Sequence, residues 1–138
     1  MAAAGLSAVL LLAGCGGTSV PPEAVVRAWS DAVNSGDYAR AGKLLADGAV
    51  VIEGDSEQLL HTREDAERWS RSRPCAGLVQ TITTHRDIVT ATFLLSDRGA
   101  PGGCAAAGGT LTAEFQVRRK LIVFFRWLSG SPPPAAAG

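Results

Sequence analysis

The chain has almost no lysine: Lys43 and Lys120 stand against abundant arginine, alanine and glycine, a composition like that of GC-rich bacterial coding. It also has no net charge. Thirteen basic and thirteen acidic residues cancel, with no extended run of either sign, so the sequence offers no electrostatic footprint for nucleic acid or an anionic membrane. The apolar or small stretch Gly5 to Ala13 is nine residues, too short to cross a bilayer. Histidine is scarce as well. His61 and His85 fall on or near turns, far apart and without spaced Cys, Asp or Glu partners, so neither a metal site nor a catalytic triad is expected, and no cofactor is implied. At 138 residues the chain holds one domain at most.

What is present begins with LLLAGCGGTS, Leu10 to Ser19. The short apolar stretch suits the h-region of a secretory signal peptide, with the terminal amine as the only positive charge before Arg27. Leu12-Ala13-Gly14-Cys15 resembles the lipobox of bacterial lipoproteins, in which the cysteine thiol receives a diacylglyceryl group and the new amino terminus is acylated. The resemblance implies a signal peptide over residues 1–14, Cys15 as the lipidated first residue of the mature chain, and a domain held on the outer side of a cell-envelope membrane. Each buried methylene contributes about 0.8 kcal/mol, so two or three acyl chains hold a protein where one holds it only marginally. Residues 15–21 read as a flexible tether and residues 130–138 as a disordered Pro/Ala tail. The folded unit is then 22–129.

Within that unit a helical half precedes a sheet half. Val25, Val26, Trp29 and Val33 follow helical spacing between Pro22 and Gly36. Asp37 can cap a second helix running to about Ala46, AVVIE over Ala49 to Glu53 fits a short strand, and Thr62 with Asp65 makes a capping box for a helix through Trp69. Beyond Cys75 the period changes to two, in LVQTITT, IVTATFLL, TLTAEFQV and LIVFFRWL, which read as four antiparallel strands with a Gly-rich loop from Gly99 to Gly109. Segregated helices then strands imply an α+β layer fold, helices packed on one face of a curved antiparallel sheet. With Arg86-Asp87 and Arg119-Lys120 as two-residue turns, Gln80 faces Phe93, Phe115 faces Phe124, and Ala113 faces Arg126 on the inner side. Neither turn carries the Asn-Gly or Asp-Gly that such hairpins prefer, and a slip of one residue would invert both faces.

The order helix, helix, short strand, helix, four long strands, together with AVNSGDYARAGKLLADGAVVIE from Ala32 to Glu53, resembles the nuclear-transport-factor-2-like superfamily, closest to its SnoaL-like and ketosteroid-isomerase-like branches. The resemblance covers about Glu23 to Leu128 and implies a cone-shaped fold whose open end forms an apolar pocket. Aligned on the NSGD junction, the proton-shuttling carboxylate of ketosteroid isomerases falls at Glu53, their oxyanion tyrosine at Trp29 and their protonated aspartate near Ala113. The base position is filled, while Ala113 donates nothing, so the resemblance supports the fold more than the reaction.

These residues define the candidate sites. Glu53 is a general base if it lies inside an apolar cone, or a solvated glutamate at a strand end. Trp29, Gln80, Phe93, Phe115, Phe124 and Arg126 form the expected ligand-binding set, with Arg126 and Gln80 placed to hold a carboxylate or carbonyl of an apolar or partly anionic small molecule. Plain core packing for the aromatics, and an Arg126–Glu pair, are the competing readings. Val123, Phe125 and Trp127 would then form an apolar strip on the outer sheet face, which suggests a homodimer through that face. Cys75 and Cys104 remain once Cys15 is lipidated, and facing an oxidising exterior they are expected to form a disulfide, against two unpaired buried cysteines. The sequence thus leaves three functions open: a non-catalytic binding or accessory module, an isomerase, lyase or hydrolase based on Glu53, and a structural dimer with a filled cone.

Overall fold

A computed structural model of the chain describes residues 19–131. The signal segment, Cys15 with the first part of the tether, and residues 132–138 lie outside the described residues. Helices α1 (Pro22–Ser35) and α2 (Tyr38–Lys43) lead into β1 (Leu45–Glu53) and β2 (Ser56–Leu60), followed by α3 (Arg63–Arg71) and the strands β3 (Cys75–His85), β4 (Ile88–Asp97), β5 (Thr110–Arg118) and β6 (Leu121–Ser131). Local chemistry sets the helix ends. Pro22 occupies the first turn of α1, Gly36 ends it at φ 75°, the Asp37 side chain accepts from the Arg40 amide, and Thr62 and Asp65 bond reciprocally across the start of α3.

The six strands form one sheet in the order β2-β1-β6-β5-β4-β3. All neighbours are antiparallel except β1 and β6, so the sheet is mixed rather than antiparallel throughout. Two features of the first half depart from the sequence expectation. Leu45, read as helical, is buried and starts β1 opposite Ile122, and the Leu44 carbonyl accepts from the Ile122 amide; tertiary pairing stops α2 early. The segment after Glu53 forms the extra strand β2, through a tight turn in which Gly54 takes φ 61°. At the other end β6 continues through Gly130 and Ser131, past the expected domain boundary.

Both predicted two-residue turns are present, and the pairs next to them match: Thr84 with Val89, Ile82 with Ala91, Val117 with Ile122. Beyond those pairs the ladders slip. Gln80 is an extra residue in β3, so Val79 rather than Gln80 faces Phe93. In β6, Val123 is extra, which places Phe125 against Phe115, Arg126 against Glu114 and Trp127 against Ala113. Such bulges bend and twist a strand while reversing which side chains face in. They curve the sheet around α1, whose Val25, Val26, Trp29, Ala32 and Val33 bury against Val89, Ala91, Phe115 and Phe125. Trp29 stacks on Trp69 of α3 at 5.4 Å, and Phe115 meets Phe125 edge-on at 5.1 Å.

The hairpin tips carry strain. Arg119 and Lys120 sit at φ 51° and 65°, and Arg86 at 57°, in the left-handed region that side chains with a β-carbon disfavour. Lys120→Gly is therefore expected to stabilise the fold by about 1 kcal/mol, measured as a higher urea midpoint at unchanged slope. Between these tips Asp87 accepts from Gln116 and Arg118, hydrogen bonds that hold its carboxyl below the usual aspartate range.

Candidate functional site

The concave face of the sheet, the C-terminal half of α1 and the loop after β4 enclose a cavity of about 540 Å³. Its walls are chiefly Trp29, Val33, Phe93, Leu95, Leu111, Phe125 and Trp127. Gly102, Gly103, Ala105 and Ala106 form the rim, and a Cys75–Cys104 disulfide with Cα atoms 5.0 Å apart fastens that rim to the start of β3. The expected bridge is present, and it closes the cavity wall. Small residues at the rim leave the wall to backbone, and the loop ends are tied by the Leu95 amide on Gly109 and the Gly108 amide on Leu95.

The polar side chains around the cavity are mostly committed to structure. Asn34 Nδ2 donates to the Gly77 carbonyl at 2.8 Å while its Oδ1 accepts from the Gly77 amide at 2.9 Å, a side chain acting as a strand partner for the sheet edge. Ser30 Oγ donates to the same carbonyl. A β-carbon at Gly77 would stand 3.0 Å from the Phe93 ring, so a larger residue there would require the ring to shift by a few tenths of an ångström. Trp29 Nε1 donates to Ser70 Oγ at 3.2 Å, which removes it as a donor to anything in the cavity. Two arginines organise the mouth. Arg73 holds Glu53 through both terminal nitrogens, donates from Nε to the Trp69 carbonyl, and lies 4.4 Å over the Trp69 ring. Arg98 donates to the Val33, Arg71 and Arg73 carbonyls and to the Tyr38 hydroxyl, drawing the C-terminal ends of α1 and α3 together.

The sequence-derived site residues divide accordingly. Trp29 and Phe93 line the cavity, whereas Phe115 is fully buried in the core beneath it. Gln80, Phe124 and Arg126 do not belong to it. Gln80 is exposed at its bulge in β3, and the Val123 bulge turns Phe124 and Arg126 to the outer face, where Arg126 pairs with Glu114 at 3.2 Å and lies over Phe124. Phe125 and Trp127 replace them inside; no turn residue or glycine marks that bulge in the sequence. Glu53 stands at the edge of the site with its carboxylate engaged by Arg73, a partner invisible to linear spacing. The outer face carries a Thr92–Thr112 hydroxyl pair and the Glu114–Arg126 ion pair beside Phe124, Val50, Leu78 and Leu94, so the expected strip changes its members: Phe125 and Trp127 face in, and Phe124 faces out.

Comparison with protein-family models and with curated proteins finds no match. Solved structures do match. A nuclear-transport-factor-2-like protein of unknown function from Cytophaga hutchinsonii superposes with a TM-score of 0.64 at 11% identity, covering 81% of this chain and 92% of that one. A putative polyketide cyclase from Sinorhizobium meliloti gives 0.61 at 18% identity, over 79% of this chain and 95% of that one. A putative ketosteroid isomerase from Kribbella flavida gives 0.59 at 16% identity, over 82% of each chain. At such identities likeness speaks to architecture rather than chemistry. The chain has the nuclear-transport-factor-2-like fold, a cone of helices and curved sheet closed around an apolar cavity.

Proposed function

We propose that the chain is an extracytoplasmic lipoprotein, held on a membrane through acylated Cys15, whose cone binds a neutral, largely apolar small molecule without turning it over. The observation that carries the binding reading is the cavity itself: about 540 Å³, aromatic and aliphatic in its walls, with the charge of Arg73 already matched by Glu53. A ligand carboxylate would compete with Glu53 for that guanidinium. A neutral ligand faces no such competition.

The test is a fluorescence titration of the full chain carrying Cys15→Ser, with neutral phenylnaphthylamine and anionic anilinonaphthalene sulfonate as probes. The neutral probe is expected to bind, and Ala106→Trp, which fills the cavity from the rim, to abolish that binding. Glu53→Gln frees Arg73 and is expected to raise affinity for the anionic probe at least tenfold. Failure of the unblocked chain to bind the neutral probe sinks the reading. The anchor has its own test. Cys15→Ser is expected to move the protein from the membrane to the soluble fraction, and retention of that variant on membranes would count against acylation.

A catalytic reading has one support, the likeness in fold to proteins described as a putative cyclase and a putative isomerase. It requires Glu53 to leave Arg73 before taking a proton, because both carboxylate oxygens are held by the guanidinium. Under that reading Arg73→Met activates proton abstraction. Under the binding reading it only unpairs Glu53 and costs stability.

A further inference from the structure

Whole-chain neutrality conceals a sorting of charge by the topology. The β3–β4 and β5–β6 turns lie side by side at the end of the sheet opposite the cavity, joined by the Val117 amide on the Asp87 carbonyl and by Arg118 Nε on the Asp87 carboxylate at 3.2 Å. That end gathers Arg86, Arg118, Arg119 and Lys120, all exposed. Of the carboxylates beside them, Asp87 pairs with Arg118 and accepts from Gln116, and Glu23 accepts from the Thr84 hydroxyl at 2.8 Å and keeps its charge, so Arg86, Arg119 and Lys120 leave this end net positive. The same Glu23–Thr84 contact places the start of α1 at this end, so the chain leaves the domain towards its N-terminus beside the basic tips.

We propose that the two basic hairpin tips dock on the anionic headgroups of the membrane that carries the anchor, fixing the domain with its cavity mouth facing away from the lipid. The orientation rests on the Cys15 anchor proposed above. From Cys15 to Pro21 the extended chain reaches at most about 20 Å, which keeps this end near the headgroups. The cavity end stands about 23 Å further along β5, from Arg118 to Leu111, well beyond the Debye length of about 8 Å. Cations at the tip therefore feel the surface and the mouth does not. Backbone geometry favours the same conclusion. Asparagine and glycine would relax the turns, whereas three of the φ > 0 positions hold Arg86, Arg119 and Lys120, which puts three cations at the turn positions themselves.

The experiment uses the full chain with Cys15→Ser, so that docking is read without the acyl anchor. Sedimentation is compared on vesicles of phosphatidylcholine mixed with phosphatidylglycerol and on pure phosphatidylcholine. The comparison variant adds Arg86→Asn, Arg119→Asn and Lys120→Gly, residues the turns prefer, so weaker binding cannot be ascribed to unfolding. Each cation near an anionic surface contributes roughly fivefold, and the variant is expected to bind the anionic vesicles at least tenfold less tightly while matching its parent on the neutral ones. Equal affinity of the two chains for anionic vesicles overturns the proposal. So does tighter binding of the parent to a short single-stranded DNA than to the vesicles, which would reassign the patch to another polyanion. A free thiol on Cys15 of the membrane-isolated wild-type chain would defeat the anchor while leaving the vesicle result standing.

Discussion

Cys104→Ser is expected to lower the unfolding free energy by about 3.6 kcal/mol, the chain-entropy value for a cross-link spanning 29 residues. The bridged segment is not a compact loop. It contains β3, β4 and the turn between them, and in the unfolded chain nothing else restrains the distance from Cys75 to Cys104. The bridge also has a native-state role. Gly99, Gly102, Gly103 and Gly108 all adopt positive φ, a backbone with many accessible alternatives, so the rim depends on its tie to β3 to stay in place. Urea denaturation should show a lower midpoint for the variant and for the reduced wild type alike. Probe binding should weaken in both under conditions where the core strands remain folded. A loss below about 1 kcal/mol would mean that the loop is held by its own hydrogen bonds, and that the bridge contributes little to closing the cavity.

How far the fold was legible depends on the range of the interactions that decide it. Most helix ends follow from residues within one turn, and Pro22, Gly36, Asp37 and the Thr62–Asp65 box mark them correctly because their physics is local, whereas the end of α2 is set by the distant pairing of Leu45 with Ile122. Turn positions were equally legible, since Arg86-Asp87 and Arg119-Lys120 separate strands of alternating pattern. Register was not. Alternation in VFFRW is satisfied by either parity, with Phe124 and Arg126 inside or with Phe125 and Trp127 inside. The choice is made by packing against Trp29, Trp69 and Phe115, residues far away in sequence. The same holds for Glu53 and Arg98. One was visible as a carboxylate but not as half of an ion pair with Arg73, and the other gave no local signal, because its partners are the terminal carbonyls of two helices.

Replacement of Arg98 is expected to be the most damaging single change to a half-buried charged residue, with Arg98→Met costing about 3 kcal/mol. The guanidinium reaches Arg73 O at 2.8 Å, Arg71 O at 2.9 Å and Val33 O at 3.1 Å, and it also donates to the Tyr38 hydroxyl. The last carbonyls of a helix have no intrahelical partner and carry the negative end of its dipole, so a cation here satisfies hydrogen bonds and field together. Individual charged hydrogen bonds contribute about 1.5–3 kcal/mol, but four sharing one side chain do not add, which sets the total near the upper end of a single bond. Arg98→Lys should recover less than half of the loss, because an ammonium cannot fork to carbonyls lying in different directions. A control is Arg68→Met, whose exposed pair with Asp65 lies within one helix and should change stability by no more than about 0.5 kcal/mol. The effect on binding should exceed the effect on stability. Val33 and Asn34 at the end of α1 and Arg73 and Pro74 beyond α3 line the cavity, and Arg98 is what holds those two ends at their spacing. Arg98→Met should therefore lose the neutral probe at urea concentrations well below its own unfolding midpoint. If binding and folding are instead lost together, the mouth is fixed by the core rather than by Arg98, and the arginine is a stabiliser of the helix ends alone.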